Sequence, residues 1–321
     1  MAREVTSGAQ LRNVLHSVSK VLQRGDIVII NQVPIKDTYA EAFDFLATRV
    51  IITADTLEWA MEAARAAVGF GASIIGCGAE CGIEGEVKDT PDGRPGVSIL
   101  VFARTPEDLD GQLQGRVGMC VLTCPTTAAF NGLTSEKTVA TGGFLRHFGD
   151  SYEYVEEKDG RRLWHVPMMD GEFIMEEIFG YVSGIGGGNF IIMGRDRTST
   201  LAVAAAAAAE MRKVPNVILP FPGGVVRSGS RVGGANYDFL PAATNALFCP
   251  TLRPKVDKSL VAEGATCVYE MIVDGLDMDS VKEAMKVGIK AACREGIVEI
   301  TAGNYGDKLG KHRIRLYDVI K

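Results

Sequence analysis

The chain is 321 residues long, 46% hydrophobic and 23% charged, with 34 basic residues against 40 acidic ones and a formal charge of −6. That is ordinary globular composition, with enough length for two lobes and their cores. It carries no basic run suited to a nucleic acid, and its longest apolar run, residues 201–209, is mostly alanine and too short for a membrane span.

The first predicted element is an amphipathic helix over residues 8–23. Leu11, Val14, Leu15, Val18, Val21 and Leu22 recur at helical spacing, and Gly25 stops it. Such a stripe docks on the chain's own core, on an oligomer partner or on another protein. Residues 49–54 read as a strand. A helix follows over 55–68, with Asp55 and Glu58 as a capping box and Leu57, Met61, Ala64 and Val68 inward. Residues 73–77 read as the next strand, then comes a Gly-rich loop to Gly96, and 97–103 form a third strand. Thr105-Pro106 opens a second helix, and 121–123 close the unit. The order is β-α-β-β-α-β. A bridge, roughly 131–188, contributes further strands and loops.

The same order then returns. Residues 189–193 read as a strand, 198–212 as an Ala-rich helix, 217–219 as a strand entering a long loop, and 266–273 as a strand. Asp279 is the expected cap of a helix with Val281, Ala284, Met285, Gly288 and Ala292 on one face. Gly296 ends it, and 297–301 form the last strand. Two copies predict an α+β fold of two ferredoxin-like lobes arising by duplication, with an extra N-terminal helix. The expected divisions are 1–26 for that helical extension, 27–148 for the first lobe, and 149–321 for the bridge and second lobe.

One residue breaks the apolar pattern. In Cys267-Val268-Tyr269-Glu270-Met271-Ile272-Val273, alternation puts Val268, Glu270 and Ile272 on one face. A carboxylate between branched aliphatics is costly unless it is protonated, paired or lining a cleft. Burial raises a Glu pKa, and a carboxyl that keeps its proton near neutrality can serve as a general acid. The plainer alternative is a strand at a sheet margin, with Glu270 in water or held by an arginine. The matching strand of the first copy has no carboxylate, which favours a specialised second lobe.

Other segments suggest binding. Pro220, Phe221, Pro222, Gly223 and Gly224 follow a strand; the prolines fix the backbone and the glycines let a ligand approach it. Arg227 and Arg231, flanking Ser228, could hold anions or simply be solvated. Asp150 and Tyr152 stand near a glycine, and Gly187, Gly188 and Asn189 continue a Gly-rich run. That run precedes a strand, so it fails the dinucleotide fingerprint and reads as a close-packing loop or backbone-donor site. There is no phosphate loop and no nucleophile elbow. Cys77/Cys81 and Cys120/Cys124 have no histidine close in sequence and read as ordinary thiols, so no metal site is expected. Asp92-Gly93-Arg94 reads as a turn with Arg94 in solvent. The histidines at 16, 147, 165 and 312 are scattered and take no catalytic role. No secretory signal is apparent, and seven cysteines, an odd count, fit a reducing cytoplasm.

Several blocks together carry a family resemblance. They include Val33-Pro34-Ile35-Lys36-Asp37-Thr38-Tyr39-Ala40-Glu41-Ala42-Phe43, Thr90-Pro91-Asp92-Gly93-Arg94-Pro95-Gly96-Val97, Gly149-Asp150 with Tyr152, Gly171-Glu172-Phe173-Ile174 and Gly187-Gly188-Asn189-Phe190. They continue with Pro220-Phe221-Pro222-Gly223-Gly224, Tyr237-Asp238-Phe239-Leu240-Pro241-Ala242, Cys267-Val268-Tyr269-Glu270 and Thr301-Ala302-Gly303-Asn304. In order, from about residue 27 to the end, the chain resembles the formylmethanofuran:tetrahydromethanopterin formyltransferases. The resemblance implies a cytoplasmic enzyme of one-carbon metabolism that assembles as a homodimer or homotetramer. It implies methanofuran and tetrahydromethanopterin, or analogues, as co-substrates, with no metal and no permanently bound cofactor. It also places the family's proposed catalytic carboxylate on Glu270. Residues 1–26 lie outside the recognised core, and the chain is less acidic than methanogen members. Both features point to methylotrophic bacteria, where the related protein is a subunit of a formyltransferase/hydrolase complex. A rival reading is a non-catalytic assembly subunit of that complex. The retained Glu270 and Pro-Phe-Pro-Gly-Gly argue against it. No arrangement of Cys, Ser or Lys looks like an activated nucleophile, so direct transfer through a tetrahedral intermediate is expected.

Overall fold

The computed structural model describes residues 22–24, 27–304, 306 and 310–321. The expected N-terminal helix lies outside the described residues except for Leu22 and Gln23, which belong to a short strand, Leu22–Arg24.

The first lobe is built from strand β1 (Tyr39–Thr53), helix α1 (Leu57–Val68), β2 (Glu80–Val87), β3 (Gly96–Ala103), helix α2 (Pro106–Arg116) and β4 (Ala128–Asn131). Its strands lie side by side as β4-β1-β3-β2, each neighbouring pair antiparallel. The second lobe uses β5 (Phe179–Gly194), α3 (Arg197–Met211), β6 (Val217–Ile218), β7 (Cys267–Gly275), α4 (Met278–Ala292) and β8 (Ile297–Thr301). Its order is β8-β5-β7-β6, again antiparallel throughout. The helices of each lobe pack on its sheet and enclose separate apolar cores. One is built on Val50, Ile52, Ala60, Ala64, Ile99 and Leu109, the other on Phe190, Ala204, Ala207, Met271, Ala284 and Met285.

Two long strands join the lobes. Residues Tyr181 to Gly186 of β5 pair with Thr48 to Phe43 of β1, and from Gly188 onward β5 pairs with β7. The register shifts between Ile185 and Gly188, and Gly187 takes a positive φ of 77° there. Glycine is required at this bend because the backbone enters the left-handed region and because close packing leaves no room. A Cβ on Gly188 would sit 2.5 Å from Val281 Cγ1. The Gly-rich run is therefore a bulged crossing within a strand.

The bridge supplies an antiparallel meander, Tyr154–Lys158, Arg161–Met168 and Gly171–Glu176, whose last strand extends the first sheet by pairing parallel with β4.

Several local expectations are corrected. The strand expected at 73–77 is a single helical turn, Ile74–Cys77, started by Ser73 and ended by left-handed Gly78. The strand is β2, inside the stretch expected to be loop. Gly82 and Gly85 hide it in the sequence, and Gly82 lets Ile218 of the other lobe pack against its backbone. Residues 121–123 are not a strand; α2 continues into a π-helical turn, Val117–Val121, that buries Val117 and Val121. The α1 cap is Thr56, whose hydroxyl accepts from Trp59 N–H, and the α4 cap is Asp277, which accepts from Ser280 N–H. Asp55 and Asp279 only neighbour those caps. Arg94 is not solvated; its guanidinium binds Asp92, Asp55, Thr53 and the Thr126 carbonyl.

Candidate active site

The strands that join the lobes also wall a cleft of about 430 Å³. From the second lobe come Glu270 and Ile272 of β7, Gly187 and Asn189 of β5, and Phe221. From the first come Glu41, Phe43, Asp44 and Phe45 of β1, Glu80 of β2, Ser73, Ile74, Ile75 and Arg104. Lys311 and Val232 complete it. Phe43 and Phe45 lie near-parallel, with ring centroids 6.3 Å apart, and give one wall a flat apolar surface.

Glu270 is half-buried, and among the described residues its carboxyl makes no hydrogen bond or ion pair. Burial alone pushes its pKa up to about 7. Its backbone is fixed by mutual bonds with Val226, N–H to O at 3.0 and 2.8 Å. The side chain stands between the main cleft and a smaller recess lined by Val226, Arg227, Ser228, Asn245 and Val268. Asp44 is its electrostatic opposite. Hydrogen bonds from His312, at 2.5 Å, and Lys311, at 3.0 Å, hold its carboxyl below the usual range. The cleft thus offers one carboxyl that keeps a proton near neutrality and one that stays ionised.

Asn189 is buried and spends its amide internally. Its Oδ1 accepts from Gly303 N–H at 2.7 Å, and its Nδ2 donates to the carbonyls of Gly187 and Gly303, both at 3.1 Å. It ties the β5 bulge to the chain after β8. A Cβ on Gly303 would lie 3.3 Å from Glu270 Oε1, so that segment closes directly over the carboxyl.

The structure brings Glu270, Phe221, Gly187 and Asn189 together on the main cleft. Arg227 and Ser228 reach only the small recess behind Glu270. Pro220 is buried; Pro222, Gly223 and Gly224 form a tight turn, and Gly224 is pressed against Arg212, Leu219 and Ala208. The glycines there serve turn geometry and packing. Gly188 lies beneath the surface against Val273 and Val281. Arg231 lines neither cavity. Asp150, with φ 52°, and exposed Tyr152 lie on a tight turn outside the cleft of this chain. Glu41 and Phe43 entered the sequence reading only inside a family block, without a role, and Asp44, Phe45, Glu80, Arg104 and Lys311 were missed. The one available signal was Glu41, a carboxylate within an apolar strand, as at Glu270. All seven cysteines are free, and among the described residues no group of His, Cys, Asp and Glu could hold a metal.

Fold and cleft define a two-lobed α+β protein with a half-buried, proton-retaining carboxyl facing a flat apolar wall. Residues 28–168 match the family described as "Formylmethanofuran-tetrahydromethanopterin formyltransferase", and residues 171–319 match its "FTR, proximal lobe". The chain belongs to the formylmethanofuran–tetrahydromethanopterin formyltransferase family. The formyltransferase of Methylobacillus flagellatus is 49% identical over 303 residues, covering 91% of this chain and 100% of that protein. That of Archaeoglobus fulgidus is 50% identical over 294 residues, covering 90% and 99%. Among solved structures, the Methanosarcina barkeri enzyme superposes with a TM-score of 0.86 at 46% identity, covering 90% of this chain and 99% of that one. A chain of the Methylorubrum extorquens formyltransferase/hydrolase complex, solved with methylofuran, gives 0.88 at 43% identity, covering 92% and 99%.

Proposed function

We propose that this chain moves a formyl group between the amine nitrogen of methanofuran, or an analogue, and a ring nitrogen of tetrahydromethanopterin, with Glu270 as the acid. The incoming nitrogen attacks the formyl carbon, and the carbonyl electron pair moves onto oxygen. Protonated Glu270 hydrogen-bonds that oxyanion and then gives its proton to the departing nitrogen as the old C–N bond breaks. The proton released by the incoming nitrogen restores the carboxyl, so the cycle balances without a cofactor. The observation that carries this reading is the Glu270 carboxyl: without a partner among the described residues, on the cleft wall, and raised to about 7 by burial alone. Phe43 and Phe45 suit a planar ring system, and Arg104, with Lys311 beside Asp44, brings positive charge to the cleft lining for an anionic tail.

The finer structural readings belong to the same proposal. Each lobe is a ferredoxin-like unit and the two arose by duplication; their identical strand order supports this. The working assembly is a homodimer or homotetramer in the cytoplasm, alone or within a formyl-hydrolase complex. Exposed Met119, Phe144, Phe148 and Tyr152 supply apolar area for such contacts, and the free cysteines suit a reducing compartment.

The test is formyl transfer by the purified chain, with formyl-tetrahydromethanopterin and methanofuran as substrates and both products followed. Transfer without formate release is the expected result. No transfer under conditions where a characterised family member turns over would favour the non-catalytic assembly subunit instead.

A further inference from the structure

One buried acidic pair takes no part in that chemistry. Asp274 of β7 is 0% exposed. Its Oδ1 accepts from Gly187 N–H at 2.9 Å, whereas among the described residues its Oδ2 meets no donor. Glu80 stands at the start of β2, in the other lobe, and is 7% exposed. Its Oε1 accepts from Ile74 N–H at 3.0 Å. Its strand abuts Asp274: Ile218, the cross-strand partner of Asp274, packs on Gly82, two residues along β2 from Glu80, and the two side chains interact. Two ionised carboxylates can only accept and would repel each other. A bond between them needs a proton, and the same proton satisfies the orphaned Oδ2.

We propose that Glu80 and Asp274 share one proton, and that this bond is a positioning contact pinning the first lobe to the second and holding the Gly187 bulge at the cleft wall. Burial pushes both carboxyls upward; the neighbouring Glu80 raises Asp274 further, whereas the contact with Asp274 draws Glu80 back down, which agrees with a proton held on the Asp274 side of the pair. Among the described residues the surroundings supply no substitute donor to Asp274 Oδ2. Arg104 attracts Glu80 from an exposed position. Cys81 is a neutral thiol, pushed up to about 12 by burial, with Cys77 beside it. Of the other charged groups on the cleft, Lys311 is taken by Asp44, and Glu41, Asp44 and Glu270 are carboxyls. This arrangement stands on geometry between the lobes and does not depend on the formyl chemistry.

Asp274→Asn tests it in the full chain. The amide N–H replaces the shared proton, Glu80 stays ionised, the pair keeps its single negative charge, and Oδ1 still accepts from Gly187. The folded wild-type pair keeps a proton that the unfolded chain releases near ~pH 4. Wild-type stability therefore falls as pH rises above that value, until the folded pair itself ionises. Over that window the unfolding equilibrium constant should climb by up to about tenfold per pH unit more in the wild type than in Asp274→Asn. Infrared spectra in an Glu270→Gln background supply a second readout. A protonated-carboxyl band that persists at about pH 8 should vanish on adding either Asp274→Asn or Glu80→Gln. Glu80→Gln also carries the stability comparison if the Asn variant fails to fold. Equal pH slopes in wild type and variant, or a band that survives either substitution, would overturn the shared proton.

Discussion

At the scale of single residues, environment rather than residue type sorts the cleft's carboxyls. Glu270 and Asp44 face the same space, yet one is pushed up by burial and the other is held down by His312 and Lys311. The sign for Glu270 is definite. Its folded pKa, about 7, lies above the unfolded value, so it adds stability at low pH that is lost as pH rises toward and through 7. The sequence made Glu270 legible because strand alternation set a carboxyl on an apolar face. Asn189 was legible as a site residue but not in its role, because two of its three internal bonds are to a glycine 114 positions away. Asn189→Ala would leave Gly303 N–H and two carbonyls to find new partners. We expect a loss of ~1–3 kcal/mol in urea unfolding, together with reduced turnover because the cover over Glu270 loosens. Unchanged stability and kcat would remove its positioning role.

At the scale of elements, helices were read well and glycine-bearing strands were not. Apolar periodicity marked α1 and α4, and alanine content marked α3, within a few residues; the expected caps of α1 and α4 were displaced by one and two positions. β2 was invisible because Gly82 and Gly85 replace the β-branched residues that announce a strand; it is held by pairing along β3, and Gly82 leaves room for Ile218 from the other lobe. The 184–188 run looked like a loop for the same cause. It is the part of β5 that changes partner from β1 to β7. Gly188→Ala would drive a methyl group into Val281 and Val273, whose core positions cannot yield freely. The expected cost is ~1–3 kcal/mol, read as a lower urea midpoint with an unchanged m-value. A variant as stable as the wild type would show that the crossing is less tightly packed than described.

At the scale of the whole molecule, the cleft is a product of topology. β1 contributes Glu41, Phe43, Asp44 and Phe45 from one lobe, β5 and β7 contribute Gly187, Asn189, Glu270 and Ile272 from the other, and Lys311 arrives from near the chain end. Local sequence cannot announce a site whose walls meet only when two lobes pack, which is why Arg104 and Lys311 were missed while Arg227 and Arg231 were preferred. The central claim is that this inter-lobe cleft holds Glu270 protonated so that it can act as an acid. The most direct measurement is the pH dependence of single-turnover formyl transfer by the wild type and Glu270→Gln, with substrate affinity followed in parallel. The wild-type rate should fall about tenfold per pH unit above a midpoint near 7. The Gln variant should bind both substrates, lose roughly 10²–10⁴-fold in rate, and show no such midpoint. A Gln variant that transfers formyl at close to the wild-type rate would contradict the account.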